Sequence, residues 1–335
     1  MAEYSQIKGS KIKILASDPS DPASGQIWYN TTSNSLKYGQ TNTTGTWASG
    51  GNMGTLRRYL AGAGTQTAGL GFGGYAPALA LTEEYDGSSW TAGGNLGTAR
   101  YFLAGAGTQT AGLAIGGNVG FAPYQSAATE EYNGSSWTAG GNLGTARYWH
   151  AGAGTQTAGL GFGGYIYGPN VDQNLTEEYD GTSWTAGGTM GTARKFHAGA
   201  GTQTAGIAFA GQTNYGPSLD ITEEYNGTSW TAGGTMSQAR YWLAGAGIQT
   251  AALGFGGYSP IPGGATPALA LTEEYDGSSW TAGGTMSQAR YRLEGAGTQT
   301  AGLAFIGYTG SGSYTAATEE YTGPGATIIT EILSS

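Results

Sequence analysis

Six arginines (Arg57, Arg100, Arg147, Arg194, Arg240 and Arg290) and six Thr-Glu-Glu-Tyr tetrads are the features of this chain with the most chemical potential. Clustered guanidinium groups bind carboxylates and phosphates, and two carboxylates flanking a glycosidic bond can cleave it. Both features recur once per sequence unit, whereas a catalytic cluster would have to break that symmetry. Each arginine is therefore expected to pair structurally with a tetrad glutamate. His150 and His197 occupy a position that is Leu60, Leu103, Leu243 or Leu293 elsewhere. They read as replacements for a packing residue, with no metal to hold. Outside the repeated positions the variable segments offer only Asp172 and Asp220. Glu294 stands where other units have alanine, two residues from Arg292, and the two are expected to pair on one strand face. No acid–base pair emerges, and a chain without cysteine has no thiolate nucleophile. The expectation is a non-enzyme, with no cofactor and no metal.

Side chains that recur in this way need a periodic scaffold. Trp47, Trp90, Trp137, Trp184, Trp230 and Trp280 mark units of 43 to 50 residues that read, with small departures, W-T-A-G-G, then A-G-A-G, then T-E-E-Y. That period, rich in glycine and aromatics, predicts a β-propeller built from four-stranded blades. In one unit, residues 100–107 are expected as an inner strand turned by Thr108-Gln109-Thr110. A second strand over 111–117, a loop over 118–127, a third strand over 128–133 and an outer strand from 136 complete it. Alanine and glycine suit inner strands crowded at an axis, while Trp and Tyr supply the large surfaces buried between sheets.

Composition agrees with a folded disc. Aromatic residues make up 12% of the chain, and its 64 glycines fall at fixed offsets, unlike those of a disordered segment. The net charge is −9, yet twelve of the 22 acidic residues lie in the tetrads. With no cluster of Lys and Arg, nucleic acid is excluded as a partner. No apolar run approaches the ~18 residues of a membrane span, so membrane insertion is not expected. The first residues lack a signal peptide's basic and apolar regions, which predicts synthesis in a cytoplasm without export.

The units resemble the Kelch repeat family. Gly73-Gly74, Glu84-Tyr85-Asp86, Trp90, Leu96 and Arg100 fall in the family's order, and Gly256-Gly257, Glu274-Tyr275-Asp276, Trp280, Met286 and Arg290 repeat it. The match covers roughly residues 47–323. It departs from the pattern at Ala210-Gly211, at Ile306-Gly307, and after Tyr321, where no Trp follows. The resemblance implies an all-β Kelch-like propeller. Residues 46–49 are expected to supply the outer strand missing from the last unit, giving six blades. The alternative has seven, with residues 11–15, 26–30, 35–39 and 46–49 as a degenerate blade and 326–333 finishing the last. Six-bladed propellers include sialidases, and Tyr-Asp-Gly-Ser-Ser-Trp faintly resembles their Asp-box, but the spacing differs. Copper radical oxidases also use propellers, and their crosslink needs a cysteine.

Residues 1–46 are expected to form an attachment arm and hairpin, with the propeller over 47–335. The segment Gly25-Gln26-Ile27-Trp28-Tyr29-Asn30, followed by a Thr-Thr-Ser-Asn turn and Leu36-Lys37, looks like hairpins of bacteriophage tail fibres and other virion appendages. Such an arm implies docking to other virion proteins or to a second copy, and so localisation in a virion. In a four-stranded blade, the turns after strands one and three share one face, and their sequence is nearly constant here. The loops after strand two lie on the other face and vary. They carry Tyr75, Phe121, Tyr124, Tyr165, Tyr167, Tyr215, Tyr258 and Tyr314, an aromatic surface suited to host-surface glycan or to a neighbouring protein. The expected function is a virion structural or adhesion protein. The alternatives are a cytosolic Kelch-type interaction module and, more remotely, a glycan hydrolase.

Overall fold

The computed structural model describes residues 12–19, 22–41, 43–214, 216–260, 268–310, 312–325 and 327–334, and every regular element among them is a strand. They divide into two compact units, one of residues 46–322 and one of the residues before and after it. The expected boundary at 46/47 thus moves to 45/46. The residues from Gly323 onward leave the propeller for the N-terminal unit, because the strand Thr327–Ser334 pairs with Ser35–Thr41.

Residues 46–322 contain six four-stranded antiparallel sheets. In the first, Ala61–Thr65 is the inner strand, followed outward by Ala68–Phe72, Thr82–Tyr85 and Trp90–Ala92. In the sixth, Glu294–Gly297, Ala301–Phe305 and Thr318–Thr322 are completed by Thr46–Ser49, with Tyr321 opposite Trp47. Each inner strand neighbours the next, and the sixth neighbours the first, so the sheets close into a ring. The strands 13–15, 27–30 and 35–41, which the seven-blade alternative placed in a blade, form their own sheet with Thr327–Ser334; Lys11 lies outside the described residues. The expected hairpin is present over Ile27–Asn30 and Ser35–Thr41. Trp28 is fully buried there and donates to Asp18, which also receives Asn30 and Lys37.

The tetrads show why the sequence repeats so closely, because each letter has a separate partner. The threonine accepts the indole N–H of the next sheet. Trp90 donates to Thr318 (2.9 Å), and Trp137, Trp184, Trp230, Trp280 and Trp47 donate to Thr82, Thr129, Thr176, Thr222 and Thr272. The first glutamate holds the buried arginine of its own sheet: Arg57–Glu83 at 2.5 Å, with the same pairing at Arg100, Arg147, Arg194, Arg240 and Arg290. The second glutamate accepts the tyrosine hydroxyl of the next sheet, as Glu84 does from Tyr132 and Glu320 from Tyr85. Gln66 and its five equivalents add a third cycle, donating to two backbone carbonyls of the preceding sheet.

The apolar core lies between neighbouring sheets. Leu70 and Phe72 of the first sheet meet Leu103, Ala114 and Tyr132 of the second in one cluster, and Phe72 tilts onto Trp137 at 4.8 Å. Where neighbouring inner strands face each other through their glycines there is no room for a side chain. A Cβ on Gly105 would stand 2.4 Å from the carbonyl oxygen of Gly62 in the preceding strand.

The arginine ion pairs make a sharp prediction. Arg194 is fully buried, and its removal leaves Glu223 charged in the interior. Arg194→Met is expected to cost about 3–5 kcal/mol in denaturant unfolding, since breaking one partner of a buried pair strands the other. Arg194→Met/Glu223→Gln, which removes the stranded charge, should recover a large part of that loss. Equal destabilisation by both variants would show that the charge is not the cause.

Candidate functional site

The variable face is built on an aromatic collar that the sequence reading missed. Two residues after each repeat arginine stand Tyr59, Phe102, Trp149, Phe196, Trp242 and Arg292, all with φ between +56° and +61°. Bulky residues rarely adopt this left-handed backbone, and it persists only where the surroundings hold it. Here the surroundings are a chain of backbone bonds around the mouth. Phe102 N–H donates to Tyr59 C=O (2.8 Å), Trp149 to Phe102, Phe196 to Trp149, Trp242 to Phe196, and Arg292 to Trp242 (2.8 Å). The side chains follow in the same order, with ring centroids 4.1, 5.1, 4.4 and 4.8 Å apart from Tyr59 to Trp242. Arg292 fills the sixth station. Its guanidinium lies 3.7 Å from the Trp242 ring centroid and donates to the Tyr59 hydroxyl at 2.7 Å, which closes the circle. The left-handed turn also shortens the expected inner strand: in the second sheet it begins at Ala104, well after Arg100.

Outside the collar, isolated β-bridges tie the preceding residue to the start of a variable loop in five units, for example Arg58 to Tyr75 and Tyr241 to Tyr258, and a two-residue ladder ties Tyr291 to Tyr308 in the sixth. These bridges determine where the anticipated aromatic residues lie. Tyr75 is half-buried against Tyr101 (4.9 Å) with Arg58 over its ring. Tyr165 is buried against Tyr148 and Trp149, beneath the ammonium of Lys195. Tyr258 packs between Tyr241 and Tyr291, and Tyr314 meets Tyr308 edge-on while accepting from Arg58 at 2.5 Å. The exposed members are Phe121 (68%), Tyr167 (50%) and Tyr124 (38%), the last two in edge-on contact at 5.0 Å. Tyr215 lies outside the described residues. The anticipated residues thus form separate clusters around the rim, several of them packed more than presented. Between the first and sixth sheets a cleft of about 470 Å³ opens beside Leu56, Arg58, Tyr75, Pro77 and Tyr314.

The other chemistry-bearing residues are accounted for individually. Asp172 forms a buried ion pair with Lys195 at 2.8 Å, although burial still pushes its carboxyl up. His150 is buried with neither ring nitrogen hydrogen-bonded, and burial, followed by the charge of Arg147, holds it neutral well below the usual imidazole range. His197 packs on Phe162, and burial pushes it down to about 3. The expected Arg292–Glu294 pair does not form. Arg292 sits in the left-handed turn before the strand Glu294–Gly297, so the two-residue alternation of a strand does not apply to it. Arg292 faces the collar, while Glu294 lines the axial channel with no hydrogen-bond or ion-pair partner among the described residues. Protein surrounds that carboxyl, and the desolvation raises it from 4.5 to about 8.

No family model matches the chain, and no curated protein matches it. Among solved structures 349 chains match, so the shape by itself singles out no function. One is YjhT, which superposes with a TM-score of 0.70 at 12% identity, over 84% of this chain and 99% of that one. At that identity the likeness is one of fold. The chain is a β-propeller.

Glu294 predicts a pH signature. Between about pH 4.5 and 8 the folded chain keeps a proton that the unfolded chain releases, so stability falls as pH rises through that window. Glu294→Ala restores the residue of the other five units and removes the slope. Thermal unfolding should show the variant close to the parent at pH 4.5 and more stable by on the order of a few kcal/mol at pH 9. A pH-independent difference would mean that the carboxyl is not held neutral.

Proposed function

We propose that this protein is a non-catalytic structural and adhesion component of a virus particle, attached through its N-terminal unit and binding host-surface glycan with the loop-bearing face of its propeller. The observation that carries the reading is the division of labour between the two faces. The turns of one face are near-identical and tied to neighbouring sheets by the glutamine cycle. The loops of the other differ in length and gather Tyr75, Tyr314, Phe121, Tyr124 and Tyr167 around the rim. Tyrosine and phenylalanine present flat apolar area at small entropic cost, and tyrosine adds a hydroxyl for hydrogen bonding. A cleft of about 470 Å³ has the size of small-molecule sites, and its Arg58 and tyrosine hydroxyls can orient a sugar ring.

Catalysis has little to rest on. The six arginines are fully buried in structural pairs, Asp172 is engaged by Lys195, and Glu294 has no second carboxylate across from it to complete an acid–base pair. Attachment through the N-terminal unit rests on the likeness of its hairpin to virion appendages. A cytosolic Kelch-type interaction module would use the same loop face, and where the protein is recovered separates the two.

The test has two parts. The protein should be recovered in purified particles by mass spectrometry. On a glycan array the parent should bind a restricted set of saccharides, with Tyr167→Ala and Phe121→Ala each lowering apparent affinity about tenfold and leaving the unfolding midpoint unchanged. Absence from particles together with unaltered binding by both variants would reject the reading.

A further inference from the structure

The sixth unit breaks the repeat twice at the axis, with Arg292 in place of an aromatic residue and Glu294 in place of alanine. Neither change is needed to close the ring, which the cycles of Trp, Tyr and Gln contacts already do. Their joint effect is on the axial channel. This channel is a space of about 230 Å³ walled by the six inner strands, and it adjoins a smaller space of about 90 Å³ beneath the collar. Glu294 lines both, and among the described residues it is the one acidic residue lining either.

The walls themselves offer oxygen. In the sixth sheet Thr298 N–H donates to Ala301 C=O at 2.9 Å, and the register pairs Ala296 with Leu303 and Gly295 with Ala304. Hydrogen-bonded and non-hydrogen-bonded pairs alternate along an antiparallel ladder. Counting back from Thr298, the groups of Gly297 and Gly295 turn away from the second strand, and both glycines line the channel. The glycine carbonyls also lean over the next inner strand: Gly245 O approaches Gly295, and Gly295 O approaches Gly62, each 2.9 Å from where a Cβ would stand. An unpartnered carboxylate thus sits beside a wall of backbone carbonyls.

We propose that the axial channel binds a small monovalent cation on Glu294, with glycine carbonyls of the inner strands as its further ligands. The cation is of the ammonium or potassium kind, either free or as the primary ammonium end of a longer ligand.

Charge and size fix the class. One carboxylate balances one positive charge, whereas a divalent ion calls for several anionic oxygens; the described residues hold no group of three acidic or histidine side chains. Rings of backbone carbonyls favour weakly hydrated monovalent ions. The six collar stations are 3.7–5.2 Å from their neighbours, and in a hexagon that spacing is also the distance to the axis. Allowing roughly 1.8 Å for the half-thickness of a ring leaves an opening of about 3 Å radius. Bulky ammonium ions are excluded there. Arg292, the fixed positive group at that end, places cation entry at the opposite end, past Gly64 and its equivalents. His150 and His197 are neutral and oppose nothing.

The experiment uses the full chain at pH 9, with chlorides of ammonium, methylammonium, potassium and sodium compared with tetraethylammonium at equal ionic strength. At least one small cation should raise the unfolding midpoint saturably, by several degrees, above the tetraethylammonium control. Glu294→Ala and Glu294→Gln should both lose the effect. A response to methylammonium equal to that of ammonium marks an amine-bearing ligand, and a response to ammonium or potassium alone marks a free ion. An equal shift in parent and variants, or no small cation exceeding the control, overturns the proposal. As a second readout, the carbon-13 titration of the Glu294 carboxyl should move to lower pH in the saturating cation, and an unmoved midpoint counts against binding.

Discussion

Every sheet of this ring is incomplete by itself. Its outer indole N–H and its tyrosine hydroxyl have acceptors only in the preceding sheet, in the threonine and second glutamate of that sheet's tetrad. A buried polar group without a partner costs about 1–3 kcal/mol, and each sheet brings several such groups to its interface. A lone unit would therefore bury little and leave much unsatisfied. Closure turns the same groups into cycles in which every donor has a partner. The strand Thr46–Ser49 is the essential joint, because it brings Trp47 to the last sheet and so lets Thr272 and Phe255 be covered.

This dependence explains why the units differ so little. A side chain in the tetrad serves two sheets at once, so changing it in one unit damages the next, and the tolerance left to the sequence falls in the loops after the second strands. The loops are nonetheless restrained at their base, where bridges such as Arg58–Tyr75 and Tyr241–Tyr258 fix their first residue. Aromatic residues near those bridges are recruited into packing, as Tyr165 is between Tyr148 and Trp149. Those outside the bridges, such as Phe121 and Tyr167, remain open to solvent. Participation in a bridge, more than residue type, separates scaffold from contact surface.

Much of this was legible in the sequence. The tryptophan spacing gave the sheets, the recurrence of Arg and Glu gave their pairing, and the missing final Trp pointed to Thr46–Ser49. The collar was not legible, because strand alternation assumes extended backbone and the residues from Tyr59 to Arg292 are left-handed. A trace of it was present in the aligned units, where Tyr, Phe, Trp, Phe, Trp and Arg succeed one another two residues after each repeat arginine. The same turn undid the expected pairing of Arg292 with Glu294. The destination of Thr327–Ser334 was also hidden: its partner Ser35–Thr41 is nearly the whole chain away, and edge pairing over that distance leaves no local pattern.

The placement of the two axial departures also follows from the closure argument. The side chains of an all-aromatic collar would meet through ring contacts alone, each worth about 0.5–1.5 kcal/mol beyond its buried area. Substituting one arginine adds a fixed donor: the Tyr59 hydroxyl accepts from it across the seam between the first and last sheets, and the Trp242 face of the fifth unit stacks on it from the other side. The chain crosses that seam from Thr46–Ser49, the outer strand of the sixth sheet, to Ala61–Thr65, the inner strand of the first. Arg292 thus ties the seam at the mouth, as Trp47 ties the sixth sheet to the fifth on the outer side. Glu294 ties nothing: it has no partner to compensate its burial. A carboxyl with no partner among the described residues, at a position where five sister units use alanine, adds no side-chain contact to the scaffold, and it lines the axial channel.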